Sequence, residues 1–120
     1  MLPRASRLNA SADFRATIRR GVRVGRPTLV LHVGAPSGRN AVRVGLVVSK
    51  AVGNAVTRNR VKRRLRHLAA EHLVPTSAGF DVVVRALPRA AQQPDELVPD
   101  LTGAWSKALR RLDRVSGQAG

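Results

Sequence analysis

The chain has 120 residues, 43% of them hydrophobic, a formal net charge of +15 from 22 Lys and Arg against seven Asp and Glu, and no cysteine. Such a length suits one domain with a modest core. Without cysteine there are no disulfides, zinc-cysteinate sites or thiol nucleophiles, and the longest apolar runs are strand-sized, far short of the ~20 residues of a membrane helix.

In chain order, residues 1–10 read as a basic, weakly ordered arm. The N-terminus carries charge but no apolar signal-peptide core, which predicts neither secretion nor membrane insertion. Ser11 is placed to cap a short helix, with Asp13 in its positive first turn, Gly21 as a left-handed stop, and Phe14 and Ile18 four apart on one face. A short strand is allowed near Arg23. Residues Thr28 to Val33 predict a strand covered on part of both faces, and the Gly34 to Asn40 stretch is a turn signal. Val42 to Ser49 predicts a second strand, with the first as a candidate hairpin partner. Ser49 to Leu68 predicts a glycine-marked turn feeding a basic helix, and Phe80 to Arg85 a third strand. From Asp95 to Leu112, apolar residues at helical spacing around Leu101, Trp105 and Leu112 predict a helix, with Pro99 tolerated only in its first turn and Gly103 weakening its interior. Arg110, Arg111 and Arg114 suit the negative end of that helix, and residues 115–120 read as a frayed tail. The order predicts an α+β fold, a single-domain α-β sandwich over residues 1–120, in which the basic helix joins parallel neighbouring strands as a βαβ unit. The general handedness rule favours a right-handed crossover.

The charge is concentrated. Between Phe14 and Ala70 there are fourteen Lys and Arg and no Asp or Glu, so +14 of the +15 lies in one interval. Self-repulsion of this kind weakens a free fold and marks the footprint of a polyanion. On a wheel of about 100° per residue, Thr57, Leu65, Leu68 and His72 fall within roughly 40° of Val61, a narrow apolar stripe. Arg58, Lys62 and Arg66 lie along one flank, Arg60 and Arg64 along the other, with Asn59, Arg63 and His67 facing outward. An ordinary solvated helix face mixes signs at i,i+4; here no such pairing is available before Glu71. Asn54 serves either as a plain cap or, with Gly53, to present backbone N–H groups to a phosphate. No helix-turn-helix partner or heptad accompanies the basic helix. Aromatics for base stacking are scarce: Phe80 and Trp105 read as core, leaving Phe14 open to either role.

Catalysis by the chain alone lacks its parts. The seven acids form no close cluster for a hydrolytic metal beyond the cap-like Asp95 and Glu96. His67, Glu71 and His72 match neither H-E-x-x-H nor its inverse, and the two histidines lie about 140° apart around a helix. His32, within an apolar strand, reads as a packed histidine. The residues describe a binder of nucleic acid.

The segments LPRASRL from Leu2, DFRATIRRG from Asp13, VRVGLVVSKAVGNAVTRNRVKRRLR from Val42 and GFDVVVRA, with the triplet Arg58, Asn59, Arg60 at their centre, resemble the protein subunit of bacterial ribonuclease P; the C-terminal helix matches in pattern only. The resemblance implies a small basic cytoplasmic protein that joins a catalytic RNA and assists endonucleolytic removal of the 5′ leader from precursor tRNA, with the catalytic centre in the RNA. It implies Mg²⁺ held mainly by that RNA, no organic cofactor, no membrane and no obligate protein partner. Carried onto this sequence, Ser49, Lys50, Asn54, Arg58, Asn59, Arg60, Arg63 and Arg64 would contact the RNA subunit. Phe14, Ile18, His32, Lys62 and Arg66 would line a cleft for the single-stranded leader. Ile18 and His32 stand where the family often has aromatics, implying leader contact that is more apolar and electrostatic there. The family fold also implies a left-handed βαβ crossover of ribosomal-protein type, against the general rule. The alternative function is a structural RNA-binding protein of ribosomal type with no substrate role.

Overall fold

A computed structural model of the protein describes residues 7–8, 11–34, 42–74 and 79–119. Among these residues four α-helices and four strands follow in the order α1 (Ser11–Arg20), β1 (Val22–Gly25), β2 (Leu29–Val33), β3 (Arg43–Val47), α2 (Ala55–His72), β4 (Asp81–Ala86), α3 (Arg89–Gln92) and α4 (Leu97–Ala119). The mixed α+β architecture agrees with the sequence reading. One sheet in the order β1-β2-β4-β3 carries it.

The hairpin expected between the second and third strands does not form. β2 pairs antiparallel with β1 on one side and β4 on the other, while β3 pairs parallel with β4 at the edge. β4 (DVVVRA) is buried at four of its six positions, and placing that strand in the middle shields more apolar surface than pairing β2 with β3 would. β3, α2 and β4 therefore make the expected unit of parallel neighbours joined by a helix.

Strand alternation sorts the side chains onto two faces. Leu29, Leu31 and Val33 of β2, Val82, Val84 and Ala86 of β4, Val24 and Val44 enter the main core with Val61, Leu65 and Leu68 of α2 and Leu97, Leu101, Trp105 and Ala108 of α4. Phe80 and Trp105 meet edge to face, with ring centroids 5.7 Å apart at 89°, as core aromatics should. The opposite face carries the register row Gly45, Val83, His32, Arg23, and α1 lies on that side.

Two glycines set the position of α1. Gly21 has no positive φ, contrary to the left-handed stop expected there. It is required by proximity: a Cβ at Gly21 would stand 2.4 Å from the Thr17 carbonyl oxygen and 2.8 Å from that of Val33. A Cβ at Gly45 would stand 2.2 Å from Cζ of Phe14, so the ring sits directly on the bare backbone of β3. Arg43 completes the attachment. Its guanidinium grips Asp81 through two bonds of 2.9 and 2.8 Å and reaches Asp13 of α1 at 3.2 Å, and the Asp81 hydrogen bond is the chief cause raising its pKa above the ordinary arginine value. One base of the acid-free interval is thus neutralised by carboxylates from outside it.

At the other end, the Asp100 carboxylate in the first turn of α4 accepts from the Thr28 backbone N–H at 3.1 Å and its hydroxyl at 2.6 Å, and Pro99 lies in that same turn, where it costs the helix least. The helix starts at Leu97, later than Asp95, because Pro94–Glu96 form a 3₁₀ turn. Since α4 continues to Ala119, Arg110 and Arg111 are not in its last turn; Arg111 instead donates to the Arg23 carbonyl at 2.8 Å. The backbone of residues 115–119, read as a tail, belongs to this helix. Of the basic arm only Arg7 and Leu8 are described. They run beside β3, bridging Arg7 with Val44 and donating the Leu8 N–H to the Val44 carbonyl at 2.9 Å. Most of the Gly34 to Asn40 turn lies outside the described residues.

Candidate nucleic-acid interface

The basic helix begins after a 3₁₀ turn over Lys50–Val52. Gly53, at φ 156°, takes the backbone through a conformation open to glycine, and the Asn54 side-chain oxygen accepts from the Thr57 N–H at 2.9 Å. Asn54 is thus a cap in the plain sense. Ser49 and Lys50 are exposed just ahead of it.

Only Val61, Leu65, Leu68 and Ala69 of the eighteen residues of α2 are buried. Each large one contributes about 1.5–3 kcal/mol, so the helix is thinly anchored, as the narrow stripe implied. His72 is half-buried and sits beside Glu71, which also takes His67 at 2.9 Å. Among the described residues, Arg58, Arg60, Lys62, Arg63, Arg64 and Arg66 form no ion pair; Asp13 and Asp81 go to Arg43, Glu96 to Arg89 and Glu71 to the two histidines, and Asp100 to Thr28. Their repulsion is left for an external anion to relieve.

The structure divides these cations. Lys62 and Arg66 line a hollow of about 200 Å³ together with Phe14, Arg7, Leu8 and Gly45. It combines an aromatic ring, bare strand backbone and three cationic side chains, two of them from α2, the parts a single strand of nucleic acid uses. Arg58, expected on the same flank, is half-buried, and its Nε is enclosed without a partner among the described residues. On the other flank, Arg60 and Arg64 border a groove against α3 and the start of α4. Asn59, Arg60 and Arg63 form a surface hollow with Val56, which is 66% exposed. Sequence reasoning missed Val56. The available signal was an apolar residue standing off the Val61 stripe and beside the triplet.

Ile18 and His32 do not line the hollow of Phe14, Lys62 and Arg66. Ile18 is 44% exposed and His32 only 5%. His32 lies in register between Arg23 and Val83 on the face opposite the main core. Burial, followed by the charges of Arg23 and Arg85, holds its pKa below the ordinary value of 6.5, and its Nδ1 has no partner among the described residues. A residue whose folded pKa is depressed contributes stability above its unfolded pKa that is lost as pH falls through the folded value. The melting temperature should therefore drop as pH is lowered from 7.5 through 6.5 and below, and His32→Phe should flatten that dependence. Parallel pH profiles for the two proteins would refute this.

Metal ligation by the protein does not fit the donors present. Among the described residues no group of three or more His, Cys, Asp or Glu could hold a metal ion, and Asp13 and Asp81, which do approach one another, are both committed to Arg43. No helix among them is long and apolar enough to cross a membrane.

The family model described as Ribonuclease P matches residues 2–111. The ribonuclease P protein component of Kocuria rhizophila is 54% identical over 116 residues, covering 92% of this chain and 98% of that protein. That of a Nocardioides species is 57% identical over 104 residues, covering 84% and 89%. Among solved structures, the Staphylococcus aureus RNase P protein aligns with a TM-score of 0.69 at 25% identity, over 89% of this chain and 94% of that one. The Thermotoga maritima RNase P protein aligns at 0.67 and 24% identity, over 88% and 96%, and supports the fold. An unneutralised cationic helix, a fold shared with these proteins and identity to relatives along nearly the whole chain lead to one result: the chain belongs to the ribonuclease P protein family and is the protein subunit of that tRNA-processing endoribonuclease, associating with its RNA.

Proposed function

We propose that this subunit uses the two flanks of α2 for two RNAs. Asn59, Arg60, Arg63 and Arg64, with Ser49 and Lys50 ahead of the helix, face the ribonuclease P RNA. Phe14, Lys62 and Arg66 receive the single-stranded 5′ leader of precursor tRNA. The observation that carries this reading is the hollow itself, where two unpaired cations from α2 meet the one aromatic ring outside the core. Lys62 and Arg66 supply charge to leader phosphates and the Phe14 ring a face for a base. Asn54 serves this surface indirectly, by capping the helix that bears it. Ile18 and His32 lie outside the hollow, so their part in leader contact is at most peripheral. Among the described residues no donor group could hold a divalent ion; we assign the Mg²⁺ of the reaction to the RNA, and we place the assembly in the cytoplasm.

Reconstitution with a bacterial ribonuclease P RNA at low Mg²⁺ tests the proposal. The protein should strengthen binding of leader-bearing precursor over mature tRNA, with a salt slope of roughly 0.7 to 0.9 per phosphate neutralised. Phe14→Ala should weaken binding of long-leader precursors about tenfold, the loss of one base stack, and leave mature tRNA unaffected. Equal loss for both RNAs would show that the ring only supports the fold. No leader dependence in the wild-type protein would leave a structural RNA-binding role in place of the proposed one.

A further inference from the structure

We propose that the groove between α2 and the α3–α4 connection holds one unstacked nucleotide of the ribonuclease P RNA, its base on the apolar floor and its phosphate on Arg60 and Arg64. The proposal rests on the reading that this flank of α2 faces the RNA subunit, and it names what that flank grips. The groove encloses about 170 Å³, space for a planar ring. Its floor is Val61, Ala90 and Leu97, which are 5%, 1% and 0% exposed. Ala91 and Pro94 form the far wall. Both alanines matter by what they lack, since any larger side chain on this short helix would fill the slot.

The occupant is decided at the rim. Arg60 and Arg64, four residues apart on one flank, are exposed and form no ion pair among the described residues. The adjoining turn carries two carboxylates, Asp95 and Glu96: Glu96 is held by Arg89 through bonds of 2.6 and 2.7 Å, and Asp95, exposed, forms no ion pair with either arginine among the described residues. A guanidinium fork above an apolar slot suits a group that is flat and apolar on its faces and doubly hydrogen-bonding on its anion, the description of a nucleotide. Thr57 also borders the groove, and its hydroxyl makes no hydrogen bond among the described residues, leaving it to meet a base edge. The Lys62 and Arg66 hollow is a separate space on the opposite flank, so a leader strand and an RNA-subunit nucleotide do not compete.

Two measurements test this. In the first, Ala91→Phe closes the slot while keeping both arginines; its affinity for the ribonuclease P RNA should fall about tenfold, near the low end of what placing one base against a side-chain platform contributes, with an unchanged melting temperature. In the second, adenosine 5′-monophosphate titrated into the wild-type chain should shift the methyl resonances of Val61 and Leu97, which inorganic phosphate at the same concentration should not. If Ala91→Phe fails to fold, the titration decides alone. Full-strength assembly of a folded Ala91→Phe overturns the inference, as do methyl groups silent to the nucleotide or moved equally by phosphate; the slot would then fall to an apolar protein segment. If the wild-type protein itself fails to bind the RNA, the failure is that of the proposed function.

Discussion

Exchanging Lys62 and Arg66 together for Glu will lower the affinity of the holoenzyme for leader-bearing precursor tRNA by about a hundredfold or more and leave its affinity for mature tRNA nearly unchanged. A charge-assisted hydrogen bond contributes about 1.5–3 kcal/mol, so removing two amounts to at least about 3 kcal/mol, or two decades in Kd, before the repulsion from two new carboxylates. The salt slope for precursor should also shrink by roughly 0.7 for each single-stranded phosphate that the protein no longer neutralises. Collapse of the fold is not the expected cause, because neither side chain is buried or ion-paired among the described residues and the exchange relieves repulsion along α2. The measurement is equilibrium binding of both RNAs at several salt concentrations. A loss shared equally by mature tRNA would remove the hollow as the leader site.

Asp100→Ala will lower the stability of the fold by about 2–3 kcal/mol. The Asp100 carboxylate is the acceptor for both the N–H and the hydroxyl of Thr28, a residue that is 0% exposed. Truncation leaves two buried donors unsatisfied, at about 1–3 kcal/mol each, partly offset where water enters. The link spans 72 positions in the chain and ties the turn between β1 and β2 to the start of α4. For a domain of this size, each kcal/mol moves the melting temperature by roughly 3–5 °C, so a fall of about 10 °C is expected by calorimetry. Asp100→Asn keeps one acceptor and should lose less. A melting temperature within about 2 °C of wild type for Asp100→Ala would show that water satisfies Thr28 in full.

The elements were legible because their signals are local. Asn54 and Gly53 mark the entry to α2, Val61, Leu65 and Leu68 its one apolar line, and the valines of FDVVVR a buried strand. The acid-free interval was equally plain, since charge is counted from residues alone. Pairing was not legible. Sequence neighbours β2 and β3 looked like a hairpin because adjacency is the local default, whereas the choice of β4 as a central strand depends on how much apolar surface each arrangement shields on both faces. Gly21 looked like a helix stop for a similar reason: a conformational role can be read locally, but a close approach to Val33 involves a residue from another element.

The candidate site shows the same division. The cations of α2, the absence of acids near them in the chain and the motif around Arg58 to Arg60 followed from order and composition, whereas only the fold decided that no distant carboxylate reaches them as Asp13 and Asp81 reach Arg43. Which cation joins which ring did not follow. Phe14 meets Lys62 and Arg66 only because α1 crosses the sheet on the bare backbone of Gly45 and is held there by Arg43 bridging Asp13 and Asp81. That packing leaves Ile18 and His32 outside the hollow. Charge and periodicity are additive along a chain, so sequence alone determined that this protein carries a cationic helix with a narrow apolar stripe. Juxtaposition depends on every packing contact at once, so only the tertiary structure decided which residues form the two faces of that helix.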